Sequence, residues 1–299
     1  MSTEQQASVA STSIHPGTNI GLVTLRVAQL ERSLRFYHGI LGFQPIEQTP
    51  GRAVLGTQDN QPLLELIEVP GAGPHPVRTT GLYHIAIVLP MRADLGRMLL
   101  RLAQANIEIS HGDHGVSEAL YISDPDENGL ELYRDRPRDT WRRVQGTIVM
   151  GTEAVDLRSL AEDAQYAEAW DVVPAGTRVG HIHLKVGNIR EAKRFYGDIL
   201  GFDVMVQMPT ALFISAGGYQ HHIGMNIWHS QGAAPAPVTR AGLQSYVIAI
   251  PTLEALQEVK ARLVANNIAF TEEQPDLIRV NDPWSNTILL KVQLINAIQ

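Results

Sequence analysis

Residues 23–43 of this chain read VTLRVAQLERSLRFYHGILGF, and residues 182–202, offset by 159, read IHLKVGNIREAKRFYGDILGF. Leu25 and Leu184, Val27 and Val186, Tyr37 and Tyr196, and the closing Leu-Gly-Phe of each copy coincide. Each copy predicts a strand, a turn and an amphipathic helix that stops at the glycine, followed by further strands. Residues 84–133 and 246–292 form a weaker pair. Both run from an apolar strand through a helix (Asp94–Ala105 and Leu253–Ala265) to an Asn-Ile, and both place an Asp-Pro before the last strand. Four units of about fifty residues each are the mark of a duplicated architecture. One such unit is too small to bury a face of its own sheet, so the units must pair. The expected fold is α+β, with four βαβββ modules paired into two open barrels. Along the chain this gives a disordered tail (1–17), a first domain of modules 1 and 2 (18–138), a connector (139–176) with a helix near Asp156, and a second domain of modules 3 and 4 (177–294).

Composition narrows the chemistry. There is no cysteine among the 299 residues, so thiolate sites are excluded and any metal must be held by histidine and carboxylate. A net charge of −7 without a Lys/Arg run argues against a nucleic-acid partner. The polar start and the lack of an 18-residue apolar run point to a cytoplasmic protein with no membrane partner.

The stretch HGDHGVSEALYISDPDENGLELY, residues 111–133, concentrates the functional signal. It predicts two strands around a tight Asp-Pro-Asp-Glu-Asn-Gly turn. Glu131 alternates with Leu130 and Leu132, so it faces away from its apolar neighbours, and a carboxylate on the inner face of a barrel needs a partner or a metal. Two of the eleven histidines occupy equivalent places in their modules. His84 opens the first strand of module 2, and His181 opens that of module 3. Two histidines and one carboxylate suit Fe(II), with Mn(II) as the other choice, and leave coordination positions open to substrate. The duplicate positions hold Leu22, Tyr246 (or Ser245) and Leu289, so one complete ligand set exists. It draws on modules 2 and 3, which must therefore share a barrel, within one chain or across a dimer.

The module order, the FYxxxLGF of the odd modules and the 111–133 stretch resemble the vicinal oxygen chelate superfamily. Within it, GHIHLKV, ISAGGYQHHIGMNIW and HGDHGVSEALY resemble bacterial two-domain extradiol catechol 2,3-dioxygenases, from about residue 18 to 294. The resemblance implies Fe(II)-dependent meta cleavage of a catechol by dioxygen, giving a 2-hydroxymuconic semialdehyde, in a homo-oligomer. It implies His84, Glu131 and His181 as ligands, His221 (His222 as fallback) as the acid–base residue and His114 as a substrate contact. A tyrosine common in the family falls on Ser123. Tyr121 is expected on the opposite face and is no obvious substitute, although it is carried with His183, Asn226 and Trp228 as a substrate-binding candidate. Glu65 is expected to be structural, the Phe36-Tyr37 and Phe195-Tyr196 pairs helix core, and His15, His38 and His75 surface. The alternatives are a glyoxalase- or epimerase-like lyase or isomerase and a metal-free binding protein. Ring preference is expected to depend on the loops 69–81 and 229–242.

Overall fold

A computed structural model describes residues 13–144, 147–166 and 168–293. Module 1 comprises β1 (Asn19–Val27), α1 (Leu30–Leu34), β2 (Gln44–Thr49), β3 (Arg52–Gly56) and β4 (Pro62–Glu68). Module 2 comprises β5 (Gly81–Val88), α2 (Arg92–Gln104), β6 (Ser110–Asp113), β7 (Ser117–Ser123) and β8 (Gly129–Asp135). The connector forms a small ribbon, β9 (Arg143–Val144) and β10 (Thr147–Ile148), and then α3 (Leu157–Asp163), whose start Asp156 caps by accepting from the Ser159 amide. Module 3 comprises β11 (Arg178–Lys185), α4 (Ile189–Ala192), β12 (Asp203–Gln207), β13 (Ala211–Ser215) and β14 (Ile223–Asn226). Module 4 comprises β15 (Gly242–Ile250), α5 (Leu253–Ala265), β16 (Phe270–Gln274), β17 (Leu277–Asn281) and β18 (Thr287–Val292).

The strands build two curled eight-stranded sheets, as the fourfold repeat requires. One runs β12-β13-β14-β11-β5-β8-β7-β6, the other β16-β17-β18-β15-β1-β4-β3-β2. Module 2 therefore pairs with module 3, and module 1 with module 4, across antiparallel β5–β11 and β1–β15 seams. Modules 2 and 3 meet within one chain. The division at 18–138 and 177–294 follows the chain, and the sheets cut across it. Of the 1–17 segment, residues 1–12 lie outside the described residues, as does residue 294 at the far end. Ile14 is buried, and its amide donates to Gly201 O at 2.7 Å.

Two repeated motifs bolt one sheet to the other. Tyr37 and Tyr196 are buried in the helix core, but their hydroxyls leave it. Tyr37 donates to Asp124 at 2.9 Å and Tyr196 to Asp282 at 2.8 Å. Each bond joins a module of one sheet to the Asp-Pro turn of a module in the other. Each aspartate also fixes its own turn. Asp282 accepts from the Trp284 and Asn286 amides and the Asn286 side chain at 2.8–2.9 Å. The α1 and α4 helices continue as π-type turns to Ile40 and Ile199, and end where Gly42 and Gly201 take φ of +81° and +93°. Arg101 and Arg262 donate to the freed Ile40 and Ile199 carbonyls at 3.0 Å, where a cation also opposes the helix dipole. Asp282→Ala removes a fourfold acceptor and strands buried donors, so it is expected to destabilise the fold by about 3 kcal/mol or more. Urea denaturation of the variant checks this; an unchanged midpoint would leave the bolt without energetic weight.

Candidate active site

β8, β5 and β11 lie side by side at the centre of the module 2/3 sheet, and their pairing sets the site. Ala86 on β5 stands in register with Glu131 on one side and His181 on the other. Its small side chain leaves room between the two. His84 lies two residues before Ala86 on the same face. Leu130 and Leu132 go into the core below, so Glu131 is forced onto the concave face, where only 3% of it is exposed. His84 Nε2 and His181 Nε2 approach the same Glu131 Oε2 at 3.1 and 3.2 Å. The ligand atoms of these three residues all fall within 4.8 Å of one another.

The electrostatics suit a cation. Burial lowers the pKa of His84 and keeps the imidazole neutral. Burial by itself would raise Glu131, but His181 and His84 outweigh it and hold the carboxyl well below its usual range. Two imidazole nitrogens and one carboxylate oxygen, all buried and converging, fit a divalent metal ion. The counterpart positions in the other sheet carry no such set. Ser245 replaces His84, Leu289 replaces Glu131 and Leu22 replaces His181. Glu65 is held by Arg52 at 2.5 Å and by Thr24 at 2.8 Å, which makes it structural as expected.

The triad opens into a cavity of about 840 Å³. His221, His183, His114, Tyr121 and Trp228 line it. His221 lies against His181, ring centres 4.0 Å apart and planes tilted by 48°, with Nδ1 buried and unpartnered. Burial, then the neighbouring His181, drives its pKa well down. His222 turns the other way, outside the cavity. Its Nδ1 accepts from the Ala216 amide and meets Ser215 Oγ, both at 3.1 Å, so the fallback candidate is a structural residue. Asn226 also lies outside the lining, behind His183, and its amide donates to His183 Nε2 at 3.0 Å, which fixes that ring. Trp228 stands at the mouth, 49% exposed, against Tyr83.

Tyr121 corrects the sequence-based expectation. Positions 121 and 123 are two apart on β7, so they share a face, and both line the cavity. Tyr121 stands opposite Glu131 in register, with its ring 5.8 Å from that of His84. Its hydroxyl is 2.7 Å from His114 Nε2, while His114 Nδ1 is 2.8 Å from Gly151 O. A carbonyl only accepts, so Nδ1 carries the proton and Nε2 receives the Tyr121 hydroxyl. Burial, then Glu131, raises the pKa of Tyr121 and keeps it a phenol. Tyr121 thus stands on the cavity face that Ser123 shares.

Several lining residues had no sequence signal. Met150, Gly151 and Thr152 come from the connector, which docks along β6 through paired Asp113–Glu153 backbone bonds. The loops 69–81 and 229–242 close on each other, Thr80 donating to Ala234 O at 3.1 Å, and carry His75 to the mouth. His75 is therefore no surface residue, whereas His15 and His38 are exposed.

The Glyoxalase/Bleomycin resistance protein/Dioxygenase superfamily model matches residues 19–132 and 178–286. The chain belongs to this superfamily. It is 47% identical over 286 residues to catechol-2,3-dioxygenase of Bacillus subtilis, covering 93% of this chain and 98% of that protein. It is 34% identical over 115 residues to biphenyl-2,3-diol 1,2-dioxygenase 3 of Rhodococcus globerulus, covering 37% and 60% of the two. Among solved structures, a putative dioxygenase from Bacillus subtilis superposes with a TM-score of 0.64 at 13% identity, over 94% of this chain and 86% of that one. Glyoxalase I from Zea mays follows at 0.55 and 13%, over 92% of each, so these likenesses establish the fold alone. Among the described residues no helix is long and apolar enough to cross a membrane.

Proposed function

We propose that this protein cleaves catechol, or a substituted catechol, beside its diol with dioxygen, giving a 2-hydroxymuconic semialdehyde. The convergence of His84, Glu131 and His181 at the floor of an aromatic cavity carries this reading, and the catechol-2,3-dioxygenase relative supports it. Those three residues would hold Fe(II). A ferrous ion bound there supplies chelation of both catechol oxygens, acidifies them and provides the redox partner for dioxygen. Glu131 balances part of the metal's charge, which leaves the site receptive to an anionic catecholate. Tyr83, Phe213 and Trp228 give the cavity an aromatic wall against which a ring can pack. His221 lines the cavity as a neutral imidazole, so it takes a proton from the catechol and returns it as the ring opens. Tyr121 and His114 form a relay of fixed direction beside the substrate, set by Gly151 O.

Anaerobic reconstitution with Fe(II), followed by oxygen uptake with catechol, tests the reading. Stoichiometric uptake with a yellow product is expected. Tight iron binding without uptake across several catechols would turn the assignment to a lyase or isomerase of the same superfamily, and reconstitution with Mn(II) in parallel decides between the two metals.

A further inference from the structure

The cavity wall carries a charge that the proposed chemistry does not use. Lys185 ends β11, two residues beyond His183 and four beyond His181, so strand alternation puts all three on the concave face. Four residues along a strand span about 13 Å, enough for a substituted ring between the triad and the lysine. Among the described residues lining the cavity, Lys185 is the only lysine or arginine. The lysine ion pairs of the described residues are Lys193–Asp198 and Lys260–Glu272, so among the described residues no carboxylate answers Lys185. Glu127, the other charged group away from the triad, is exposed on the β7–β8 turn and forms no pair with it.

A histidine, His75, stands beside the lysine. Its Nδ1 lies 3.2 Å from the Lys185 Nζ and faces the Pro76 carbonyl at 3.0 Å, so the proton on Nδ1 goes to Pro76 and the ammonium gains no acceptor there. The His75 ring is seated between two glycines at the mouth, Gly81 and Gly242, with φ of +134° and +137°. A Cβ at Gly81 would come 2.8 Å from His75 Nε2, and one at Gly242 would come 3.0 Å from its Cδ2. Burial, then Lys185, pushes the His75 pKa down to about 4, so the ring stays neutral and adds no second charge. Burial likewise lowers the pKa of Lys185. A half-buried ammonium without an anion is a standing cost to the fold, and a ligand anion removes it.

We infer that the substrate is a catechol carrying a carboxylate, whose anion Lys185 receives at the far end of the cavity from the triad. This rests on the proposed ring cleavage at the same site. Iron-loaded protein is assayed with 2,3- and 3,4-dihydroxybenzoate against 3- and 4-methylcatechol, which place a carboxylate or a methyl at the same carbons. One dihydroxybenzoate is expected to exceed its methyl counterpart in kcat/KM. Lys185→Met is expected to lower kcat/KM for that acid about 10- to 100-fold, the value of a charge-assisted hydrogen bond. Turnover of the methylcatechols should stay within about twofold in the variant, since a side chain of similar length keeps the wall. Preference unchanged by Lys185→Met, or equal loss on all four substrates, overturns the inference.

Calorimetric titration of metal-free protein with the same acids separates the two claims. Binding of the acid that weakens in Lys185→Met, in a protein that cleaves no catechol, would sustain the anion site and end the cleavage reading. Rapid methylcatechol cleavage with acid binding indifferent to Lys185 would do the reverse.

Discussion

Glu131→Gln is expected to lose the metal while keeping the fold. The substitution preserves shape and removes the one charge among three converging ligands. What remains is two imidazoles and a carboxamide, without an anion to offset a divalent ion. The loss in iron affinity is expected to exceed the roughly 10- to 100-fold that follows from removing an outer partner of a ligand. Iron per chain after desalting and oxygen uptake with catechol should fall together. The fold has little reason to suffer, because the β8 core contacts belong to Leu130 and Leu132, which are 1% and 0% exposed. A variant that retains iron as the wild type does would remove Glu131 from the ligand set.

His221→Ala is expected to separate chemistry from metal binding. His221 packs against His181 but contributes no atom to the converging group, so iron content should be unchanged. Turnover should fall by about 10²- to 10⁴-fold, the usual worth of a positioned acid–base group. Loss of iron in this variant would reassign the residue to support of His181. Full activity would strip it of any role. His222→Ala is the matched control, because that side chain engages Ser215 and the Ala216 amide away from the cavity and should leave turnover intact.

The ligand set was legible because a repeat supplies its own reference. His84, Glu131 and His181 stood out against Tyr246 (or Ser245), Leu289 and Leu22 at the matched positions, with the sheet register picking Ser245, and period-2 alternation around Glu131 told which way it faced. Positions 121 and 123 share a face by the same alternation, which puts Tyr121 in the cavity and not on the far side where the sequence reading expected it. Lys185 was equally within reach, four residues beyond His181 on one face, but nothing in a lone lysine marks it before the cavity is seen. His75 and the 150–152 segment lay beyond sequence reasoning altogether. They reach the cavity through loop–loop and connector contacts that carry no periodicity. The Tyr37–Asp124 and Tyr196–Asp282 bonds show a related limit. Each residue was visible as part of a repeated motif, but its partner sits in another module, and the pairing between modules is a property of the folded sheets.

That pairing has a consequence for assembly. The seam strands join Asn19 to Ala249 and His84 to His183, so neither sheet is complete until the C-terminal half of the chain is present. Such distant contacts close large loops before any core is gained, which slows folding and delays it towards the end of synthesis. The first half of the chain carries two of the three converging side chains, His84 and Glu131, and waits for His181. A ribosome-bound or truncated chain therefore exposes an unpaired β5 edge and an incomplete cluster. Any metal held by this cluster would be taken up late, by a finished molecule.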